Sequence, residues 1–166
     1  VVGDEPFAVL LPDDLIAGRG RGCLKQMVEQ YERHGAGVVA VQPVAPSETD
    51  KYGIVATTAL GERVSRITHI VEKPKPEVAP SNLAVVGRYI LPGEIMAILA
   101  TTQRGAGNEI QLTDGIATLL GQQTVLAYEF DGVRYDCGSK LGFLQATVDY
   151  ALAHPARVRR FVGTND

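Results

Sequence analysis

Residues 7–42 read FAVLLPDDLIAGRGRGCLKQMVEQYERHGAGVVAVQ, and the fold turns on how this stretch is divided. Phe7-Ala8-Val9-Leu10-Leu11 is a continuous apolar run stopped by Pro12, the pattern of a strand buried on both faces. Leu24, Met27, Val28 and Tyr31 then fall at i, i+3, i+4 and i+7, one face of a helix, and Gly35 stands where a C′ glycine would end it. Gly37 to Gln42 returns to an apolar, β-branched run closed by Pro43. Strand, helix, strand in so short a span is a βαβ unit, which predicts that at least part of the sheet is parallel.

Outward from this unit the pattern changes. Tyr52 to Thr58 and Val64 to Val71 read as strands around Gly61, and Leu83 to Leu91 as another. Helical spacing returns in Gly93 to Ala100. It is stronger in Glu109 to Leu120, where Ile110, Thr113, Ala117 and Leu120 share a face and Gly121 follows. Val125 to Phe130 and Val133 to Tyr135 flank Asp131-Gly132, a strong hairpin signal. Leu141, Leu144, Val148 and Leu152 line a last helix ending near His154-Pro155. With no internal repeat or low-complexity tract, the expectation is one α/β domain over residues 1–166 with a mixed sheet.

Composition narrows the function classes. The chain is 45% hydrophobic and 21% charged, too apolar for a disordered segment. A net charge of −3 gives no nucleic-acid footprint, and the cluster Arg157, Arg159 and Arg160 is too small to make one. No apolar run approaches the roughly 18 residues of a membrane span, and Val1 to Pro6 has no signal-peptide pattern. Cys23 and Cys137 are far apart, as are His34, His69 and His154, so no zinc spacing exists. Two thiols in so long a chain fit a reducing cytoplasm.

Several polar stretches sit where ligands bind. Asp13-Asp14 lies just beyond a strand's carboxyl end, where open α/β sheets place their sites. Paired carboxylates there suit a hard divalent cation, or simply start a turn. Asp136 closes a strand before Cys137-Gly138-Ser139-Lys140, so it is either a second such ligand or a helix cap. Glu72-Lys73 ends a strand that Pro74 must stop. Neighbours in a regular strand point to opposite faces, but a relaxed pleat beside Pro74 lets both meet one ligand. The carboxylate would accept from hydroxyls and the ammonium would meet a phosphate; the alternative is a solvated charge cluster. Tyr52-Gly53 and Gly87 put glycine at strands, as close backbone approach or a bulge requires. Gly18-Arg19-Gly20-Arg21-Gly22 lacks both the G-x-G-x-x-G and the G-K-[ST] spacing and reads as a surface loop.

Taken in order, FAVLLPDD at 7–14, KYG at 51–53, VEKPKP at 71–76, APSNLAVVGRY at 79–89, GNEIQLTD at 107–114 and DCGSKLG at 136–142 resemble the bacterial UTP–glucose-1-phosphate uridylyltransferases, sugar nucleotidyltransferases. The resemblance runs from about Gly3 to His154. It implies a mixed, mostly parallel Rossmann-like sheet flanked by helices. It further implies that Asp13 and Asp136 hold a catalytic Mg2+, that Glu72 grips glucose hydroxyls, and that Lys73 meets the sugar phosphate. Tyr52, Gly53 and Gly87 would line the glucose pocket, and Glu109 and Asp114 match a motif near the sugar side. The implied substrates are UTP and glucose 1-phosphate, the product is UDP-glucose, and the enzyme is expected to be a cytoplasmic homo-oligomer. A thymidylyl- or cytidylyltransferase of the same superfamily, or a non-catalytic sugar-phosphate module, are the competing readings. The family's Gly-x-Gly-Thr-Arg nucleotide loop is not found in these residues, nor is an initiator Met. The expectation is therefore a fragment whose sheet is incomplete at its N-terminal side and which, alone, binds sugar phosphate without turning over UTP.

Overall fold

The computed structural model describes residues 3–18, 20–105, 108–161 and 163. Arg19 and Gly107 of the motifs above lie outside the described residues, as does the side chain of Arg157. The strands are β1 (Phe7–Leu10), β2 (Asp14–Gly18), β3 (Gly37–Pro43), β4 (Gly53–Ala59), β5 (Val64–Glu72), β6 (Leu83–Leu91), β7 (Val125–Glu129) and β8 (Gly132–Asp136). The helices are α1 (Cys23–His34), α2 (Ile95–Thr101), α3 (Leu112–Leu120), α4 (Lys140–Leu152) and α5 (Pro155–Phe161), with short 3-10 turns at Pro46–Lys51 and Pro76–Val78.

The main sheet runs β1-β6-β3-β7-β5-β4, and Ile54 of β4 also pairs with Ala84 of β6. Strands β6, β3, β7, β5 and β4 therefore form a closed circuit, with β1 on the last half of β6. Only β3 and β7 pair in parallel among the described ladders. Even so, β1, β3, β4 and β7 share one direction and β5 and β6 oppose it. The sheet is mixed, and its parallel character belongs to strand direction more than to neighbour pairing.

β1 and β3 run parallel, as the βαβ reading expects, with antiparallel β6 between them. One expectation about pairing needs correction. The Asp131-Gly132 signal does not make a hairpin. β7 has both its edges occupied, by β3 and β5, so β8 leaves the sheet and pairs with β2 in a separate two-stranded ribbon. Gly132 serves that ribbon: a Cβ there would sit 2.8 Å from the Ala17 carbonyl oxygen.

Both faces of β3 are covered, which is why its sequence is apolar throughout rather than alternating. Val39 and Val41 face a core shared with Ile95 of α2 and with Ile116 and Leu119 of α3. Val38 and Ala40 face Cys23 and Met27 of α1. Met27 is fully buried, so truncation to alanine should cost about 2–5 kcal/mol. Gly35 caps α1 at φ 60°, donating its N–H to Tyr31.

Helix faces depart from the periodic reading. Gln26 and Gln30 are buried on α1, while Val28 is 38% exposed. The Gln26 amide donates to the Arg21 and Asp131 carbonyls and accepts from the Asp131 N–H and the Tyr128 hydroxyl. A glutamine so fully satisfied is buried without penalty, and hydropathy cannot announce it. On α3 the buried residues are Thr113, Gly115, Ile116 and Leu119; of the expected face Thr113 is buried and Leu120 half-buried against the core, while Ile110 and Ala117 are exposed. On α4 the expected stripe faces outward: Leu141, Leu144, Val148 and Leu152 are all exposed, and Gly142 and Ala146 are the buried residues. The helix lies so close to β8 that a Cβ on Gly142 would fall 2.0 Å from the Asp136 carbonyl oxygen.

Candidate functional site

Asp13, Tyr52, Gly53, Glu72, Lys73, Gly87 and Asp136 all line one cavity of about 290 Å³, which Asp14, Lys51, Tyr89, Thr113 and Arg134 help to close. Six pieces of chain converge here: the turn after β1, the start of β4, the end of β5, the middle of β6, the first turn of α3 and the end of β8.

The turn after β1 separates the two aspartates chemically. Asp14 is 7% exposed and spends its acceptors inside the protein. One carboxylate oxygen pairs with Arg134 Nε, the other accepts the Gly87 N–H at 2.8 Å, and its carbonyl accepts from Arg88 Nη2. Arg88 also donates to the Leu11 and Gly87 carbonyls at 2.9 and 2.8 Å. Asp13 is fastened through its backbone instead, its carbonyl accepting the Cys137 N–H at 2.7 Å. Its exposed carboxylate is left to face the cavity.

That same bond draws Asp13 to Asp136, because Asp14 and Asp136 are paired across the β2–β8 ribbon. The point where a Cβ on Gly138 would lie is 3.2 Å from Asp13 Oδ2 and 3.2 Å from Asp136 Oδ1. The two carboxylates thus flank one small space that glycine leaves open. No group of three or more His, Cys, Asp or Glu that could hold a metal occurs among the described residues. The donor set fits Mg2+, which binds through one or two carboxylates and completes its shell with phosphate oxygens and water. Asp136 is further positioned by the Tyr52 hydroxyl, which donates to Oδ2 at 3.4 Å, and by Arg134 Nη2 at 4.0 Å.

Arg134 ties these groups together. Its guanidinium lies 5.0 Å from the Tyr52 ring centroid, within cation–π range. Burial works to lower its pKa, but the contacts with Tyr52 and the Asp14 carboxylate outweigh burial and the net movement is upward. For Tyr89, burial pushes the phenol far above its ordinary range, and the carboxylates of Glu72, Asp14 and Asp13 add to that. It is a neutral hydroxyl wherever the protein is folded at ordinary pH.

At the end of β5 the pleat breaks at the expected place. Glu72 is the last strand residue and Lys73 takes the left-handed conformation at φ 46°. Its N–H donates to the Tyr52 carbonyl at 3.0 Å. Both side chains consequently line one cavity, with Lys73 Nζ 3.7 Å from Glu72 Oε1. Glu72 Oε2 accepts from the Thr113 hydroxyl at 2.9 Å. Gly53, directly opposite Glu72 in the ladder, leaves the space Thr113 occupies: a Cβ there would meet Thr113 Cγ2 at 2.8 Å. Gly87 is under similar pressure, its Cβ position 2.6 Å from both Asp14 Oδ2 and Leu11 Cβ.

Of the motif that ends at Asp114, the two expected acids do not reach the cavity. Glu109 is exposed and does not line the cavity, and Asp114 lies in a larger open groove of about 1340 Å³ beside α2 and α3. Among the described residues its charged lining is Asp4, Glu94, Arg104 and Asp114. Thr113 is the residue of this motif that enters the cavity, and Arg134 and Arg88 are the other residues sequence reasoning passed over. All three lie within or beside quoted motifs, but only contacts distant in sequence reveal what they do.

The fold and site define an α/β protein with a polar cavity at strand ends, holding two facing carboxylates and an adjacent acid–lysine pair. The pattern of the nucleotidyl transferase family matches residues 1–152. UTP–glucose-1-phosphate uridylyltransferases of Staphylococcus epidermidis and Pseudomonas aeruginosa are each 48% identical to the chain, over 93% and 89% of it and 53% of their own length. A UDP-glucose pyrophosphorylase crystallised with UDP-glucose is 45% identical and superposes with a TM-score of 0.90, over 92% of this chain and 58% of its own. The chain thus spans about half the length of the curated relatives it matches. It belongs to the nucleotidyl transferase family.

Proposed function

We propose that this chain carries the sugar-phosphate site of a UTP–glucose-1-phosphate uridylyltransferase. In that reaction a phosphate oxygen of glucose 1-phosphate attacks the α-phosphorus of UTP. The new P–O bond forms as the bond to the β-phosphate breaks, and pyrophosphate leaves. The protein supplies position and charge rather than a covalent partner. Glu72 accepts hydrogen bonds from glucose hydroxyls while the Lys73 ammonium meets the sugar phosphate. Gly53 and Gly87 let the hexose approach the backbone, and Tyr52 helps to wall the pocket. Asp13 and Asp136 would hold Mg2+, which offsets phosphate charge when bound.

The observation that carries this reading is that Glu72 and Lys73 face the same small cavity as the paired carboxylates. Similarity to a relative crystallised with UDP-glucose supports it. Among the described residues no helix is long and apolar enough to cross a membrane. Outward-facing Leu141, Phe143, Leu144 and Leu152 on α4 accord with self-association.

The test is pyrophosphate release from UTP and glucose 1-phosphate with Mg2+, using the protein that carries this sequence. Lys73→Ala should lower kcat/KM at least tenfold, about 1.4 kcal/mol of transition-state stabilisation, with an unchanged circular dichroism spectrum. A loss under about threefold would remove Lys73 from the phosphate.

A further inference from the structure

Among the described residues, Glu72 is a largely buried acid of the cavity held by one long ion pair and one direct hydrogen bond. It is 15% exposed, and Lys73 Nζ stands off at 3.7 Å from Oε1. The direct donor to it is a neutral hydroxyl, Thr113 Oγ1 on Oε2 at 2.9 Å. Thr113 is itself 7% exposed and sits in the first turn of α3, the helix packed against β5. Its γ-methyl fills the space above Gly53 and its hydroxyl is spent on the carboxylate.

We infer that Thr113 is a positioning residue for sugar recognition. It holds the Glu72 carboxylate in one rotamer, so that Oε1 and the remaining lone pair of Oε2 face the hexose hydroxyls. An unanchored glutamate has three side-chain torsions to fix on binding, each a loss of rotamer freedom charged against affinity. A hydrogen bond to a carboxylate is among the stronger ones, and here it is made before the sugar arrives. The inference rests on the proposed sugar-phosphate site and deepens it. Selectivity for a hexose phosphate over bare phosphate should depend on the Thr113 hydroxyl, whereas attraction of the phosphate itself should not.

The experiment is an NMR titration of wild type, Thr113→Val and Thr113→Ser with glucose 1-phosphate and, separately, with inorganic phosphate. Valine keeps the volume and removes the hydroxyl; serine keeps the hydroxyl. The expected result is a Kd for glucose 1-phosphate about tenfold weaker in T113V and within about threefold of wild type in T113S, with the weaker affinity for inorganic phosphate the same in all three. If T113V binds glucose 1-phosphate as wild type does, or if phosphate affinity falls in step with it, the positioning role is wrong and the functional reading stands. If wild type shows no response at Gly53, Glu72 or Gly87, the functional reading fails and takes this inference with it. A well-dispersed T113V spectrum, or full recovery in T113S, separates lost recognition from lost folding.

Discussion

Asp14 and Lys73 show how single residues are made to serve the cavity. Asp14 spends its carboxylate on Arg134 and the Gly87 N–H, and its backbone carbonyl on Arg88. Removing it would leave Arg134, itself 7% exposed at the side chain, without its main partner. Breaking such a buried pair costs about 3–5 kcal/mol, and Asp14→Ala should lose stability in that range on urea denaturation; a loss below about 1 kcal/mol would contradict the keystone role. Lys73 holds a left-handed backbone at φ 46°, a conformation that costs a residue with a Cβ about 1–2 kcal/mol. Lys73→Gly should therefore be more stable than Lys73→Ala by about 1 kcal/mol in the same measurement, although both lose the ammonium. Equal stability would mean that the strain is absorbed elsewhere. Of these two residues, the break after Glu72 was legible because Pro74 forbids the strand to continue. The division of labour between Asp13 and Asp14 was not, because Arg134 lies 120 residues from its partner.

At the level of elements, packing partners decided what periodicity could not. The βαβ reading of residues 7–42 found β1, α1 and β3, since apolar runs and a C′ glycine are local signals. It overlooked β2, whose Asp14–Gly18 stretch is short and whose partner β8 is formed at the other end of the sequence. The hairpin signal at Asp131-Gly132 lost to geometry, because β7 was already flanked on both edges. Helix α4 shows the same limit: its leucines suggest a core face, but its buried residues are Gly142 and Ala146, and it meets β8 also through Asp149, which accepts from the Tyr135 hydroxyl, and the Tyr150 ring. Gly142→Ala would push a methyl into the Asp136 carbonyl, a backbone atom that cannot swing aside. Hydrogen exchange over 140–152 should then accelerate at least tenfold, while α1 and β3 keep their protection. Unchanged exchange would show that α4 is held by something other than this contact. Thiol chemistry reports on the elements as well. Burial pushes Cys23 at the start of α1 up to about 11, so at neutral pH a maleimide should modify the less buried Cys137 first.

For the whole molecule, the closed circuit of five strands matters because it brings the ends of β5 and the middle of β6 to one place. The β2–β8 ribbon and the turn before it then lay Asp13 and Asp136 against them. The cavity is thus built from segments spread over the entire chain, which is why motif order made its residues recognisable while their contacts became visible only in three dimensions. On the proposed function this cavity, and not the larger groove beside α2 and α3, receives the sugar phosphate. A crystal structure of the protein with UDP-glucose and Mg2+ tests it most directly. Glucose hydroxyls should lie within hydrogen-bond distance of Glu72, the sugar phosphate within reach of Lys73, and the cation between Asp13 and Asp136. Glucose density in the groove lined by Glu94, Arg104 and Asp114, with the Glu72–Lys73 cavity holding only water, would contradict it.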